Sequence, residues 1–248
     1  MGNETDPVSG NDSDSEPTTV GLFGESELVQ GTSLWADLAS VGGAPDEDLF
    51  RIGQKPYSSY EVVVDGTSGD LGMGQGPALD LLASDGTLLQ SAVAAGAGAS
   101  RSLRWENDSA AVVSDEYVRV RSAGCTTSCD PEDVYRIRFW DTTLLCPRFN
   151  NSGTQITILV LQNTTDGNVT GHAHFWSNAG VLVGTRVFSI GPKAAFVVNT
   201  STVPGVSGVG GTITLSHNGP YGTLMGKAVA VEPATGFTFD TALLPRVR

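Results

Sequence analysis

The sequence predicts an all-β protein: two β-sandwich domains behind an acidic tail. Three observations carry that reading. Short apolar runs alternate at a period of two, as in Tyr60, Val62 and Val64 or Tyr135, Ile137 and Phe139, which is the signature of half-buried strands. Clusters of Gly, Asn, Asp, Ser and Pro separate the runs at close intervals, and 31 glycines in 248 residues supply tight turns. The length suits one large or two ordinary domains, each able to bury its own core.

Charge narrows the function. Fourteen Lys and Arg against 27 Asp and Glu leave a net −13, which repels nucleic-acid phosphates and anionic lipid headgroups and favours solubility. No run approaches the ~20 apolar residues of a membrane helix. No basic segment followed by an apolar one opens the chain, so a leader is expected to have been removed, with Met1 an added initiator.

Residues 1–19 are rich in Asp, Glu, Ser, Asn, Gly and Pro with almost nothing to bury, and read as a solvated, disordered tether. Asn11-Asp12-Ser13-Asp14 lacks the Gly and closing Glu of a calcium loop. The first domain spans 20–145. Ser33–Leu38 reads as a short strand, Ala44–Asp48 as a turn into Leu49–Ile52, and Ser59–Val64 as a strand stopped by Asp65-Gly66. Gly69–Gly76 is expected to be a loop. Ser84-Asp85-Gly86 turns a hairpin between Ala78–Leu82 and Thr87–Gln90, and Ala92–Ala99 is too rich in Gly for a helix. Ser102–Glu106, Glu116–Arg121 and Val134–Trp140 complete its strands.

The order of these stretches resembles the bacterial pre-peptidase C-terminal (PPC) domain. Asp46-Glu47-Asp48-Leu49-Phe50 matches its acidic entry, Ala78–Gly86 its L-D-L-x-L…D-G hairpin, and Glu116-Tyr117-Val118-Arg119-Val120 its Y-Y-V-R-V strand, with Glu116 in place of the first aromatic. The resemblance covers Val20–Asp141. It implies a small, non-catalytic, jelly-roll-like sandwich attached to secreted enzymes or surface proteins. Some members hold calcium through acidic loops, so Asp46, Glu47 and Asp48 are calcium candidates by resemblance; read from the residues alone they are solvated turn carboxylates. No other cofactor is expected.

The second domain spans 146–248, entered through a link from Asp141 to Gly153. Its opening stretch reads as a hairpin. Ile156, Ile158 and Val160 share one face of the first strand and Leu159 and Leu161 the other, Asn163–Asn168 turns, and Val169, Gly171, Ala173 and Phe175 alternate against Thr170, His172, His174 and Trp176. About seven strands in about a hundred residues is the immunoglobulin-like count. This half, with its Pro233–Arg246 tail, resembles C-terminal sandwich modules of bacterial secreted and surface proteins, to which no activity attaches.

Cys125 and Cys129 flank three residues of a loop, and the favoured reading joins them in a disulfide in an oxidising, exported setting, leaving Cys146 unpaired and buried. The alternative joins Cys146 to one of them; a zinc site there lacks ligands. His172 and His174 project from one strand face, where two imidazoles approach a transition metal, but a third ligand is missing and an exposed polar face is the simpler expectation. His217 reads as a structural turn residue. Motifs of zinc proteases, nucleophile elbows and phosphate loops are absent, and Gly72–Gly76 opens no helix. Asn107, Asn150, Asn163, Asn168 and Asn199 begin Asn-x-Ser/Thr triplets, read first as turn residues.

The expected function is a secreted or surface-anchored binding, adhesion or assembly protein, a lipid anchor included. Its partner is an extracellular protein, a polysaccharide or a second copy. The alternative is a carbohydrate- or matrix-binding module of a larger secreted hydrolase, with Trp105, Trp140 and Trp176 as exposed platforms.

Overall fold

The computed structural model describes residues 26–38, 46–72, 76–94, 100–123 and 132–246. The tail at 1–19 and the pair Cys125 and Cys129 lie outside them. The chain divides into two compact units. One holds Met1–Lys55, Glu61–Arg104 and Val112–Trp140; the other holds Asp141–Arg248 together with Pro56–Tyr60 and Trp105–Ala111.

Among the described residues ten strands precede Thr142: β1 (Ser26–Leu28), β2 (Ser33–Asp37), β3 (Glu47–Gln54), β4 (Ser58–Gly66), β5 (Pro77–Leu82), β6 (Leu88–Ser91), β7 (Val93–Ala94), β8 (Ser100–Asn107), β9 (Val113–Ser122) and β10 (Val134–Asp141). They form two five-stranded sheets, β1-β3-β9-β5-β6 and β2-β10-β4-β8-β7. The alternation in β10 holds: Tyr135, Ile137 and Phe139 are buried, while Arg136, Arg138 and Trp140 are half-buried on the other face. The β5–β6 hairpin forms with Gly86 at φ 82°, a backbone conformation that favours glycine. Across β5 and β9, buried Asp80 accepts hydrogen bonds from Ser91 at 2.7 Å, Arg119 at 2.9 Å and Arg121 at 3.2 Å. Burial pushes its carboxyl up, but the three hydrogen bonds outweigh burial and hold it below its ordinary value.

The expected loop at Gly69–Gly76 opens instead with one helical turn, Gly69–Gly72. Asp133 Oδ1 accepts the Asp70 N–H at 2.6 Å, satisfying a donor that the turn itself leaves orphaned.

The second unit carries β11 (Leu144–Asn150), β12 (Ile156–Asn163), β13 (Val169–Ser177), β14 (Leu182–Ile190), β15 (Ala195–Asn199), β16 (Gly210–His217), β17 (Leu224–Glu232), β18 (Phe237–Ala242) and β19 (Leu244–Pro245). One sheet runs β14-β13-β16-β11-β19 and the other β15-β12-β17-β18. Their inner faces share a core that includes Phe149, Leu159, Leu161, Phe175, Phe188, Ile213 and Leu215, with the Phe149 and Phe175 rings edge-to-face at 5.4 Å.

Two expectations change here. The link from Asp141 to Gly153 contains a strand, β11, hidden from the sequence pattern by Pro147. The proline interrupts the alternation, and the pairing with β16 slips between Cys146 and Phe149 to accommodate it. The expected hairpin is not one: β12 pairs with β15 and β17, whereas β13 pairs with β14 and β16 in the opposite sheet. The connection is an arch across the core. Fully buried Asn163 holds it, donating to the carbonyls of Gly167, Ile190 and Gly191 and accepting from Thr165 N and Oγ1.

Candidate functional site

Alternation places His172, His174 and Trp176 on the outer face of β13, opposite the buried Ala173 and Phe175. Register sets Ser216 and Thr214 of β16 beside the two histidines, and Val187 and Thr185 of β14 on their other side. Two segments of the same unit, Pro56–Tyr60 and Trp105–Ala111, bring polar side chains to this face.

Glu106 Oε2 accepts from Ser216 Oγ at 2.7 Å and lies 3.0 Å from His172 Nδ1. Asp108 reaches both imidazoles, Oδ2 standing 3.4 Å from His172 Nε2 and Oδ1 3.3 Å from His174 Nε2. The rings are near-parallel with centroids 5.8 Å apart. Tyr57 lies against His174 at 4.7 Å and Trp176 at 5.1 Å, its backbone at φ 51°, a rare conformation for a residue with a bulky side chain. Asp108 is placed by its neighbour: Asn107 Oδ1 accepts from Ser109 N and Oγ, and Asn107 Nδ2 donates to Ala111 O.

The exposed polar face expected for this strand therefore belongs only to part of it. His174 is 1% exposed and His172 keeps a quarter of its side chain in solvent. Burial is the largest influence on His174 and lowers its pKa to about 4; Asp108 pulls it up and His172 pushes it further down. Ser216, Glu106 and His172 do not form a nucleophile-and-base pair, because the hydroxyl donates to the carboxylate instead of to the imidazole.

The remaining sequence-selected residues lie elsewhere. Asp46 and Asp48 are each 1% exposed, not solvated turn groups; Asp48 accepts from Tyr135 Oη, while Glu47 opens β3 and pairs with Arg119 at 3.3 Å. The expected exposure of the tryptophans fails for Trp105, which is 7% exposed and stacked on Tyr60 at 5.6 Å. Arg138 covers Trp140 at 5.3 Å, and Trp176 Nε1 donates to Thr214. Trp35, passed over in the sequence, is 50% exposed beneath Arg136. Cys146 is a free thiol in the core, and burial pushes its pKa up. His217 ends β16 rather than sitting in the turn, 2% exposed, and its Nδ1 accepts from Gly219 N.

Four Asn-x-Ser/Thr triplets share one geometry. Asn107, Asn150, Asn163 and Asn199 each accept both the N–H and the hydroxyl of the residue two further on. The triplet is a turn device at these positions.

No protein-family model and no curated protein matches the chain. Among solved structures, the pre-peptidase C-terminal domain of a collagenase from Bacillus anthracis is similar at 11% identity and a TM-score of 0.34, over 46% of this chain and 93% of that domain. A putative β-galactosidase from Bacteroides fragilis is similar at 13% identity and a TM-score of 0.19, over 84% of this chain and 33% of its own. A Bacteroides uniformis β-glucuronidase is similar at 9% identity and a TM-score of 0.19, over 79% of this chain and 26% of its own. The chain thus spans about a third or less of those two enzymes. Among the described residues no helix is long and apolar enough to cross a membrane.

Proposed function

We propose that the chain is a non-catalytic, exported binding module, its first half a PPC-like sandwich, that engages an extracellular protein along strand β18. The observation that carries this reading is the edge itself. β18 is the terminal strand of its sheet, paired with β17 alone, and five of its six residues are exposed. Phe237 and Phe239, two residues apart and thus on one face, are 67% and 51% exposed. The Arg148 guanidinium lies 5.9 Å over Phe239, and a cavity of about 120 Å³ opens beside both rings against Gln155 and Glu232. A sheet edge, two aromatic anchors and flanking charges of both signs suit an extended peptide added as a further strand. The three tryptophans favour protein over polysaccharide, since each ring is buried, covered by a guanidinium or edge-packed by a neighbour.

Intact cells of the source organism, incubated with labelled protein, test the proposal. Wild type is expected to bind, and the double substitution Phe237→Ser, Phe239→Ser to lose at least tenfold in affinity. Protease treatment of the cells is expected to abolish binding and glycosidase treatment to leave it. Undiminished binding by the double variant, or loss only after glycosidase, overturns the reading; the second outcome favours the carbohydrate module.

A further inference from the structure

The cluster around His172 and His174 contains three Lewis bases facing one another. Glu106 Oε2 sits 3.0 Å from His172 Nδ1, and a carboxylate only accepts, so the proton of a neutral His172 belongs on Nδ1 and its Nε2 carries a bare lone pair. That lone pair faces Asp108 Oδ2 at 3.4 Å. His174 turns its own Nε2 to the same carboxylate, although its other partner, a hydroxyl, can donate as well as accept. Its Nδ1 lies 3.3 Å from Thr185 Oγ1, and its Nε2, buried and without a hydrogen bond, is 3.3 Å from Asp108 Oδ1. A carboxylate so placed is satisfied by a proton on either Nε2 or by a cation shared among the three groups.

We propose that His172 Nε2, His174 Nε2 and Asp108 hold a divalent transition-metal ion, with Glu106 and Thr185 as the outer hydrogen-bond partners that orient the two imidazoles. Two imidazoles and a carboxylate suit zinc and its neighbours better than calcium or magnesium. Second-shell acceptors on the distal ring nitrogen are a regular feature of metal-bound histidine. The N···O separations of 3.3 and 3.4 Å, to opposite oxygens of Asp108, are close to the edge of a coordination tetrahedron, about 3.3 Å for bonds of ~2.0–2.1 Å. As the side chains stand, no group of three His, Cys, Asp or Glu among the described residues is placed to hold a metal ion. Closure needs rotation of Asp108 and a smaller adjustment of His172 about its contact with Glu106; their side chains are 46% and 25% exposed, which also gives the ion its way in. The ion would clip the Trp105–Ala111 segment onto β13, a contact otherwise held by Glu106 with Ser216 and His172.

Titration of the full-length chain, stripped with chelator, with Zn2+ alone in isothermal calorimetry tests this. The expected result is one zinc per chain, undiminished by millimolar calcium or magnesium, with a rise in melting temperature. Asp108→Asn and His172→Ala, both at partly exposed positions, are expected to weaken binding at least a hundredfold. Glu106→Gln, acting through His172, is expected to weaken it ten- to a hundredfold. Co2+ in place of zinc is expected to give the visible absorption of a low-coordinate nitrogen and oxygen site in wild type and to lose it in folded Asp108→Asn, with circular dichroism confirming the fold. Absence of stoichiometric binding, or binding unchanged in both folded variants, overturns the proposal.

Discussion

The side-chain amide of Asn163 donates to the backbone carbonyl of Ile190 at 3.1 Å, joining the end of β12 to the end of β14 across two different sheets. The same amide also reaches Gly167 O and Gly191 O, so one buried side chain replaces the hydrogen bonds that a hairpin would have supplied. Asn163→Ala strands buried carbonyls and the Thr165 N–H, and is expected to cost about 2–4 kcal/mol. Chemical denaturation checks this, and Asn163→Asp, which keeps the acceptor and loses the donors, should recover little.

Asp80 sets an acid limb on stability. Its carboxyl titrates below its usual value in the folded chain, so the unfolded chain binds the extra proton first. The contribution is full above the ordinary carboxylate value near 3.8 and is lost as pH falls through the lower folded value. Asp80→Asn is expected to cost about 1–3 kcal/mol at pH 7, the lower part of the range because Arg119 and Arg121 remain 26% and 40% exposed and partly hydrated. Melting temperatures between pH 2 and 7 should show a flatter acid limb in the variant.

Thiol chemistry separates exported from reducing settings. Cys146 is 0% exposed with its pKa raised by burial, so it is expected to resist maleimide in the native protein and to react on unfolding. Without reductant, peptide mapping of the unfolded chain is expected to show one labelled thiol, at Cys146, with Cys125 joined to Cys129. Three labelled thiols would remove the argument for export.

Gly171 is small because two strands require it. A Cβ there would lie 2.1 Å from Ser216 O and 2.7 Å from the Phe188 ring. Gly171→Ala is expected to destabilise by about 3 kcal/mol or more, since backbone of β16 has to move. Gly167→Ala, with nothing within 4 Å, should stay within about 0.5 kcal/mol in the same denaturation series.

What the sequence determined by itself is which residues share a strand face. Neighbouring side chains on a strand point to opposite faces, so the sets Tyr135, Ile137 and Phe139, and Val169, Ala173 and Phe175, were legible from period, and those faces are buried. On β12, apolar on both faces, period did not decide that Leu159 and Leu161 rather than Ile158 and Val160 point inward. The turn at Ser84-Asp85-Gly86 was legible for a similar reason, because local chemistry dictates it. Strand partnership was not, since period says nothing about which strand lies alongside: β12 and β13 read as a hairpin and entered different sheets. β11 was illegible because Pro147 breaks the pattern and only its bulged pairing with β16 absorbs the break. The candidate site divides the same way. Its two histidines were legible as sharing a face, a property of adjacent residues on one strand. Their carboxylate neighbours lie 66 positions away in sequence, between Glu106 and His172, and only the tertiary fold brings them within hydrogen-bond distance. His174 is buried among groups likewise distant in sequence, Tyr57 at 4.7 Å and Asp108 at 3.3 Å, and no local pattern encodes it.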